Sequence, residues 1–196
     1  MQELTSRERV ANTLDRKPVD RIASVTDPWD ATVKRWRAEG HLAEDEDVPE
    51  HFDDDLRRGG DVASRADLDF EPVILEETDE TVLKLDGNGA KLRRHKLHDS
   101  TPEHVDFVVK DRHGWDEFVV PRLVYDRRRI NAEAYRNARR AAAERQRFFC
   151  WAGAHVFELM KCVAGHEHML VGMALDPVWV KGMADTFGKL IVDLLE

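Results

Sequence analysis

The chain has 196 residues and a formal net charge of −9, from 39 Asp and Glu against 30 Lys and Arg. That length accommodates one domain with a sizeable core, and the acidic balance argues against an electrostatic hold on nucleic acid or on an anionic membrane. MQELTSRERV lacks an apolar core of signal-peptide length, and no stretch has the roughly 18 apolar residues that a membrane span needs, so a cytoplasmic protein is expected.

Thr5-Ser6-Arg7-Glu8 is a capping-box pattern opening a helix through Val10 and Leu14, which Pro18 ends. Ile22–Val25 reads as a first strand. Asp27 then lies at its carboxyl end, where it either faces a site as a catalytic group or caps the next helix, whose Trp29, Val33 and Trp36 recur at helical spacing. Gly40 closes that helix. The acidic HLAEDEDVPEHFDDDLRRGGD that follows reads as a solvated loop with one short helix around Pro49 to Leu56.

From Phe70 the pattern turns to strands: Pro72–Leu75, Thr81–Leu85 and Ala90–Leu97, with Asp86-Gly87-Asn88-Gly89 as a strong turn signal. This hairpin, about residues 70–110, is expected as a layer added to the main fold. Alternation sends Arg93 and His95 to one face and Arg94 and Lys96 to the other. Such a basic strand either lines an anion pocket, with Arg93 and His95 as substrate-binding candidates, or presents a wet face. Val105–Val109 is another strand candidate, Gly114–Phe118 begins a helix that Pro121 breaks, and Asn131–Gln146 is a long exposed helix.

Phe148–Trp151 is an apolar run of strand length, Gly153 permits a tight turn, and Phe157, Met160 and Val163 recur at helical spacing. Ligands in α/β proteins are held at the carboxyl ends of strands. That places His155 as the best proton-handling candidate, with Lys161 able to hold an anionic group. Cys150 and Cys162 give no disulfide framework and read as reduced core thiols. Cys150, His155, Cys162, His166 and His168 include a zinc-compatible Cys-x₃-His spacing, but a mid-strand and a mid-helix cysteine need not converge, so no metal site is expected within the chain. Gly165 ends one helix, Glu167–Leu175 forms a second, and Asp176-Pro177 caps a third whose Val180, Met183, Phe187, Leu190 and Leu194 share one side. That helix reaches Glu196 uncapped, and the chain is expected to be an interrupted one.

TSRERVANTLDRKPVDRIAS resembles the N-terminal helix and first strand of the uroporphyrinogen decarboxylase superfamily. GHEHMLVGMALDPVWVKGMADTFGKLI is similar to that family's G-x-E-x-L…D-P-E-x-V segment and the helix after it, and VLKLDGNGAKLRR looks like an insertion of its methyltransferase-like and uncharacterised branches. The resemblance implies an α/β fold, a partial (β/α)8 TIM-type barrel with an added β-hairpin and an N-terminal helix, in a single domain over 1–196. Such barrels take roughly 250 residues, so the chain resembles the N-terminal half of one.

The decarboxylases' R-Q-A-G-R stretch has no counterpart after Val25. When their G-A-P-W-T-L-A-S-Y-x-x-x-G pattern is set over Gly153–Gly165, the tyrosine position falls on Lys161 and the proline position on His155. A lysine cannot replace a phenol as a neutral donor. The resemblance therefore implies corrinoid-linked methyl transfer in the full-length form, with zinc held by residues beyond Glu196, a corrinoid protein as partner, a homodimer, and a fragment inactive by itself. The alternatives are decarboxylation of a tetrapyrrole-type substrate in porphyrin biosynthesis and a non-catalytic truncated product.

Overall fold

The computed structural model describes residues 3–60, 62–98, 101–151, 153 and 155–196. Helices α1 (Ser6–Leu14), α2 (Asp30–Ala38) and α3 (Val48–His51) precede strand β1 (Leu56–Gly59). Strands β2 (Val73–Glu77), β3 (Thr81–Leu85), β4 (Ala90–His95) and β5 (Glu103–Phe107) follow. Then come α4 (Arg112–Gly114), a π-helical turn Trp115–Val119, a 3-10 turn Arg127–Arg129, α5 (Ala132–Glu144), β6 (Phe148–Trp151), α6 (Val156–Leu175) and α7 (Pro177–Leu195). These elements gather in two compact units, Met1–Asp61 with Asn131–Gly153 and Val62–Ile130 with Ala154–Glu196.

The architecture is mixed α/β, with a parallel pair β1-β6 and an antiparallel sheet β2-β3-β4-β5. Neither sheet closes on itself, and the two parallel strands are not the eight of a barrel. No helix among the described residues is long and apolar enough to cross a membrane.

In the first unit the capping box forms as expected, with Thr5 Oγ1 accepting from the Glu8 N–H and Glu8 Oε2 accepting from the Thr5 N–H. The helix so anchored carries Arg9 into the interior, where it is 3 % exposed. Its guanidinium donates to Asp20 through Nε and Nη2 at 2.7 and 2.8 Å, and to Asp55 through Nη1 at 2.5 Å. Asp55 is fully buried and also accepts from Arg21 at 2.6 Å and from the Ser24 N–H at 2.8 Å.

Residues 22–25 are therefore not the strand that their apolar run predicts. They are extended, but they dock mainly on side chains: Asp54 takes the Thr26 N–H and hydroxyl, and Asp55 takes the Ser24 N–H. Ile22 is left 87 % exposed. The first true strand is β1, from the tail of the acidic loop, paired from Leu56 opposite Phe148 to Gly59 opposite Trp151. Helix α5 packs on β1 at Gly59, where any Cβ would collide with that of Ala138.

In the second unit the Asp86 carboxylate closes the β3–β4 turn by accepting from the Asn88 and Ala90 N–H groups. The β4–β5 register shifts between Lys91 and Leu92, a bulge that leaves Val105 without a partner in the register. Helix α6 is two helices joined at Gly165, whose φ of 68° and ψ of 169° break the helical run where the sequence places a helix end. The break lets the chain press on β5, since a Cβ at Gly165 would lie under 3.0 Å from three atoms of the Phe107 ring. Asp176 caps α7 through the Trp179 N–H, with Pro177 at its first position. The core of this unit joins Val109, Trp115 and Val119 to Met160, Met169 and Phe187.

Arg9→Met should leave Asp55 with Arg21 as its remaining cation and take from Asp20 its guanidinium partner, costing about 3 kcal/mol, measurable by urea unfolding. Burial pushes the Asp55 carboxyl up, but the Ser24 N–H and the partners of its carboxylate outweigh this and hold it below its ordinary 3.8. The stability so gained is present above that value and is lost as pH falls through the depressed one, so R9M should unfold in acid at higher pH than the parent. Gly165→Ala should cost about 2 kcal/mol or more, from a left-handed conformation imposed on an L residue and from the clash with Phe107. In a double-mutant cycle with Phe107→Ala the two losses should add to less than their sum, and strict additivity would show that ring and glycine do not meet.

Candidate functional site

Register decides which basic side chains of the sheet share a face. Arg93 lies opposite Leu83 and Glu103, and its guanidinium is tied to Glu76 at 2.7 Å and lies 3.4 Å from Glu103. On that same face Lys91 pairs with Asp106 at 2.8 Å, and Asp106 also receives Lys110 at 2.7 Å. The sequence candidate Arg93 is thus engaged with carboxylates. His95 is engaged locally, its Nδ1 accepting from the Leu97 N–H at 3.0 Å and its ring lying 4.5 Å from that of His98.

The other face differs. Val82 lies opposite Arg94, and Lys84 opposite Leu92. Lys84 and Arg94 are exposed and make no ion pair among the described residues, whereas Lys96 is held by Glu77 at 2.8 Å. Val82, Leu92 and Pro72 floor a hollow of about 380 Å3 between these cations, with Asp86 at its edge. Lys84 and Arg94 were not singled out as binding residues by sequence. The alternation did separate Arg94 from Arg93, but the acids that neutralise Arg93 come from neighbouring strands and are invisible along one strand.

The bulge at Val105 matters here, because it puts His104 and Phe107, three residues apart, on this same face with their rings edge-on at 5.6 Å. Phe107 meets α6 at Gly165, so the first half of α6 lies against this side of the sheet. Lys161, on that half, donates to Glu158, which keeps the ammonium charged and raises its pKa while lowering that of Glu158. His104, though exposed on its strand, is held below its ordinary 6.5 first by partial desolvation, then by the positive charges of Lys161 and His166. Burial pushes the Cys162 thiol up, with Lys161 opposing, so Cys162 is a neutral thiol rather than a nucleophile at neutral pH.

His155 is the exposed N-cap residue of α6. Its carbonyl accepts from the Leu159 N–H at 3.1 Å, and its imidazole makes no capping bond. The turn expected at Gly153 lies between Ala152 and Ala154, which fall outside the described residues. Asp27 caps nothing, the N-cap of α2 being Trp29; it pairs with Arg58 at 2.8 Å in the other unit. So Lys161 lies among the charges around His104 and His95 borders the 380 Å3 hollow, while Arg93 is turned to its carboxylate partners. Among the described residues no three His, Cys, Asp or Glu side chains are grouped as metal ligands.

Another cavity of this unit, about 610 Å3, has Lys110, Arg112, Glu167, His168, Asp176 and Trp179 in its wall. In it Arg112 clasps Asp176 at 2.8 and 2.5 Å. The Trp179 indole is buried, its Nε1–H has no acceptor among the described residues, and the ring edge away from that nitrogen abuts Gly172. An orphaned donor of this kind costs about 1–3 kcal/mol.

His104 should titrate below 6.5 by NMR, and Lys161→Gln should raise its pKa only part of the way, because partial desolvation, the larger cause, remains. A depressed histidine pKa means the folded state resists protonation, so stability falls as pH drops through 6.5. His104→Gln should flatten the pH dependence of stability that sets in as pH drops through 6.5. An unchanged profile would place the titration elsewhere.

Comparison with protein families, with curated proteins and with solved structures finds no match.

Proposed function

We propose that the chain is part of a uroporphyrinogen decarboxylase-superfamily enzyme and that it binds a small organic anion on the sheet face against which α6 lies, in corrinoid-linked methyl transfer rather than porphyrinogen decarboxylation. The observation that carries this reading is the pair Lys84 and Arg94, exposed cations without ion-pair partners among the described residues, flanking apolar Val82 and Leu92 in a chain of net charge −9. Apolar floor and cationic rim are what an amphiphilic anion requires.

The family resemblance is supported by the work its opening motif does. Arg9, Asp20 and Arg21 of TSRERV…PVDR are joined through Asp20 and Asp55, which gives those residue types a reason to recur together. The parallel β1-β6 pair with α5 packed on β1 is compatible with one sector of a barrel layer. Methyl transfer is favoured over decarboxylation by size and by donors. A hollow of about 380 Å3 is at the small end of the roughly 300–1,000 Å3 that take drug-sized ligands, and Lys161 stands as an ammonium paired to Glu158 where a phenol would be needed. Zinc and a corrinoid protein are implied by the resemblance alone, and no residue of this chain is assigned to hold either.

Titration with 4-methoxybenzoate, an anion carrying a methyl ether, tests the reading. Saturable binding that weakens at least tenfold in Lys84→Gln/Arg94→Gln, and not in the charge-matched Lys181→Gln/Lys189→Gln, is the expected result. Absence of saturation, or equal binding by the double variant, would remove the sheet face as the site. Accumulation of coproporphyrinogen from uroporphyrinogen would overturn the choice of methyl transfer.

A further inference from the structure

A second cationic hollow lies in the other unit, where α1, α5 and β6 surround about 510 Å3. Arg7 reaches it from α1. Tyr135 and Arg139, one helical turn apart on α5, reach it together, and Phe148 and Phe149 form its apolar wall. Arg147 completes it, with a side chain only 9 % exposed. Arg147 is built in rather than loose: it donates to the Asp54 carbonyl and to Ser6 Oγ at 3.4 Å, and it meets Asp53 at 2.9 Å and Glu50 at 3.6 Å.

Arg7 and Arg139 have no carboxylate partner among the described residues. Glu50 and Asp53 are engaged by Arg147, and Glu8 by the Thr5 cap. Two uncompensated guanidiniums facing one cavity repel each other, and the group that relieves this best is one dianion bridging both. A guanidinium presents its donors as a planar fork that matches phosphate or carboxylate bidentately. A single carboxylate carries one charge and fills one fork, whereas a phosphate monoester carries about −1.5 to −2 and three acceptor oxygens. The remaining wall is aromatic, with Tyr135 and Phe149 edge-on at 5.3 Å, which suits a flat apolar body next to the charge.

We propose that this pocket binds a small phosphomonoester with an aromatic body, its phosphate bridged by Arg7 and Arg139 and its ring against Phe149 and Tyr135. The site is independent of the sheet-face reading, since it uses none of the same residues. Inorganic phosphate shares the charged half of this chemistry and should bind more weakly.

Isothermal titration of the 196-residue chain with phenyl phosphate, inorganic phosphate and benzenesulfonate decides it. Phenyl phosphate should saturate at one site and inorganic phosphate should compete at lower affinity, with benzenesulfonate, of the same shape but one charge, also weaker. Arg139→Gln, which removes no side-chain hydrogen bond or ion pair among the described residues, should weaken phenyl phosphate at least tenfold, and Arg7→Gln should do the same with an unaltered melting temperature. Arg140→Gln, a neighbour on α5 bonded only to Asn137, should leave binding unchanged. The proposal fails if phenyl phosphate does not saturate, if the Arg7→Gln/Arg139→Gln double variant binds as the parent does, or if Arg140→Gln loses as much. Benzenesulfonate binding as tightly as phenyl phosphate would overturn the dianion, and inorganic phosphate doing so would overturn the aromatic half.

Discussion

Asp55 holds one unit of this protein together from a single buried position. Its carboxylate receives Arg9 from α1, Arg21 and the Ser24 N–H, its own N–H donates to the Ser24 carbonyl, and its carbonyl accepts from the Phe148 N–H at the start of β6. Three segments distant in sequence thus meet on one residue. A buried carboxylate is tolerable only when paired and fully hydrogen-bonded, and here both conditions are met by groups supplied from elsewhere in the unit. The burial of Asp55 and the placement of α1, of residues 22–26 and of β6 are therefore one constraint.

The other unit solves a similar problem without a counter-ion. Arg129 is 2 % exposed, and its five N–H bonds go to the carbonyls of Val124, Ala63, Arg65, Ala66 and Arg122. Every donor of the fork is satisfied by backbone. Burial still presses the Arg129 pKa down. Because the acceptors lie in two loop segments, 63–66 and 122–124, the side chain supplies those segments with the bonds that a strand or helix would otherwise provide. A loop core of this kind leaves no trace in hydrophobic periodicity.

What sequence discloses here follows from distance along the chain. The Thr5–Glu8 box, the Asp176-Pro177 start, the Asp86–Gly89 turn and the helix end at Gly165 are each settled by neighbours within a few residues, and each forms. Asp54 and Asp55 look like solvated members of an acidic run because the groups that justify their burial are distant, Thr26 lying 28 residues from Asp54 and the cations of Asp55 lying 46 and 34 residues away. The same acidic run hid β1, whose LRRG shows no apolar alternation and becomes a strand only by pairing with β6. For the candidate site the basic strand was visible but not its usable side. Cross-strand Glu76 and Glu103 consume Arg93, and the bulge at Val105 turns His104 towards Phe107 and α6.

Net charge and local charge lead to different conclusions about partners, and their ranges reconcile them. A charge of −9 spread over the surface repels a polyanion that must approach over a broad area. A small anion inside a hollow is governed by what lies within the screening length, about 8 Å at physiological salt. Most arginines and lysines of this chain are spent on carboxylates or carbonyls, as Arg9, Arg57, Arg93, Arg112, Arg128 and Arg129 show. Arg94 with Lys84, and Arg7 with Arg139, have no such carboxylate among the described residues, and each pair borders an apolar surface in a hollow of its own. An acidic protein that leaves cations unspent in two concave places can exclude nucleic acid and still concentrate small organic anions.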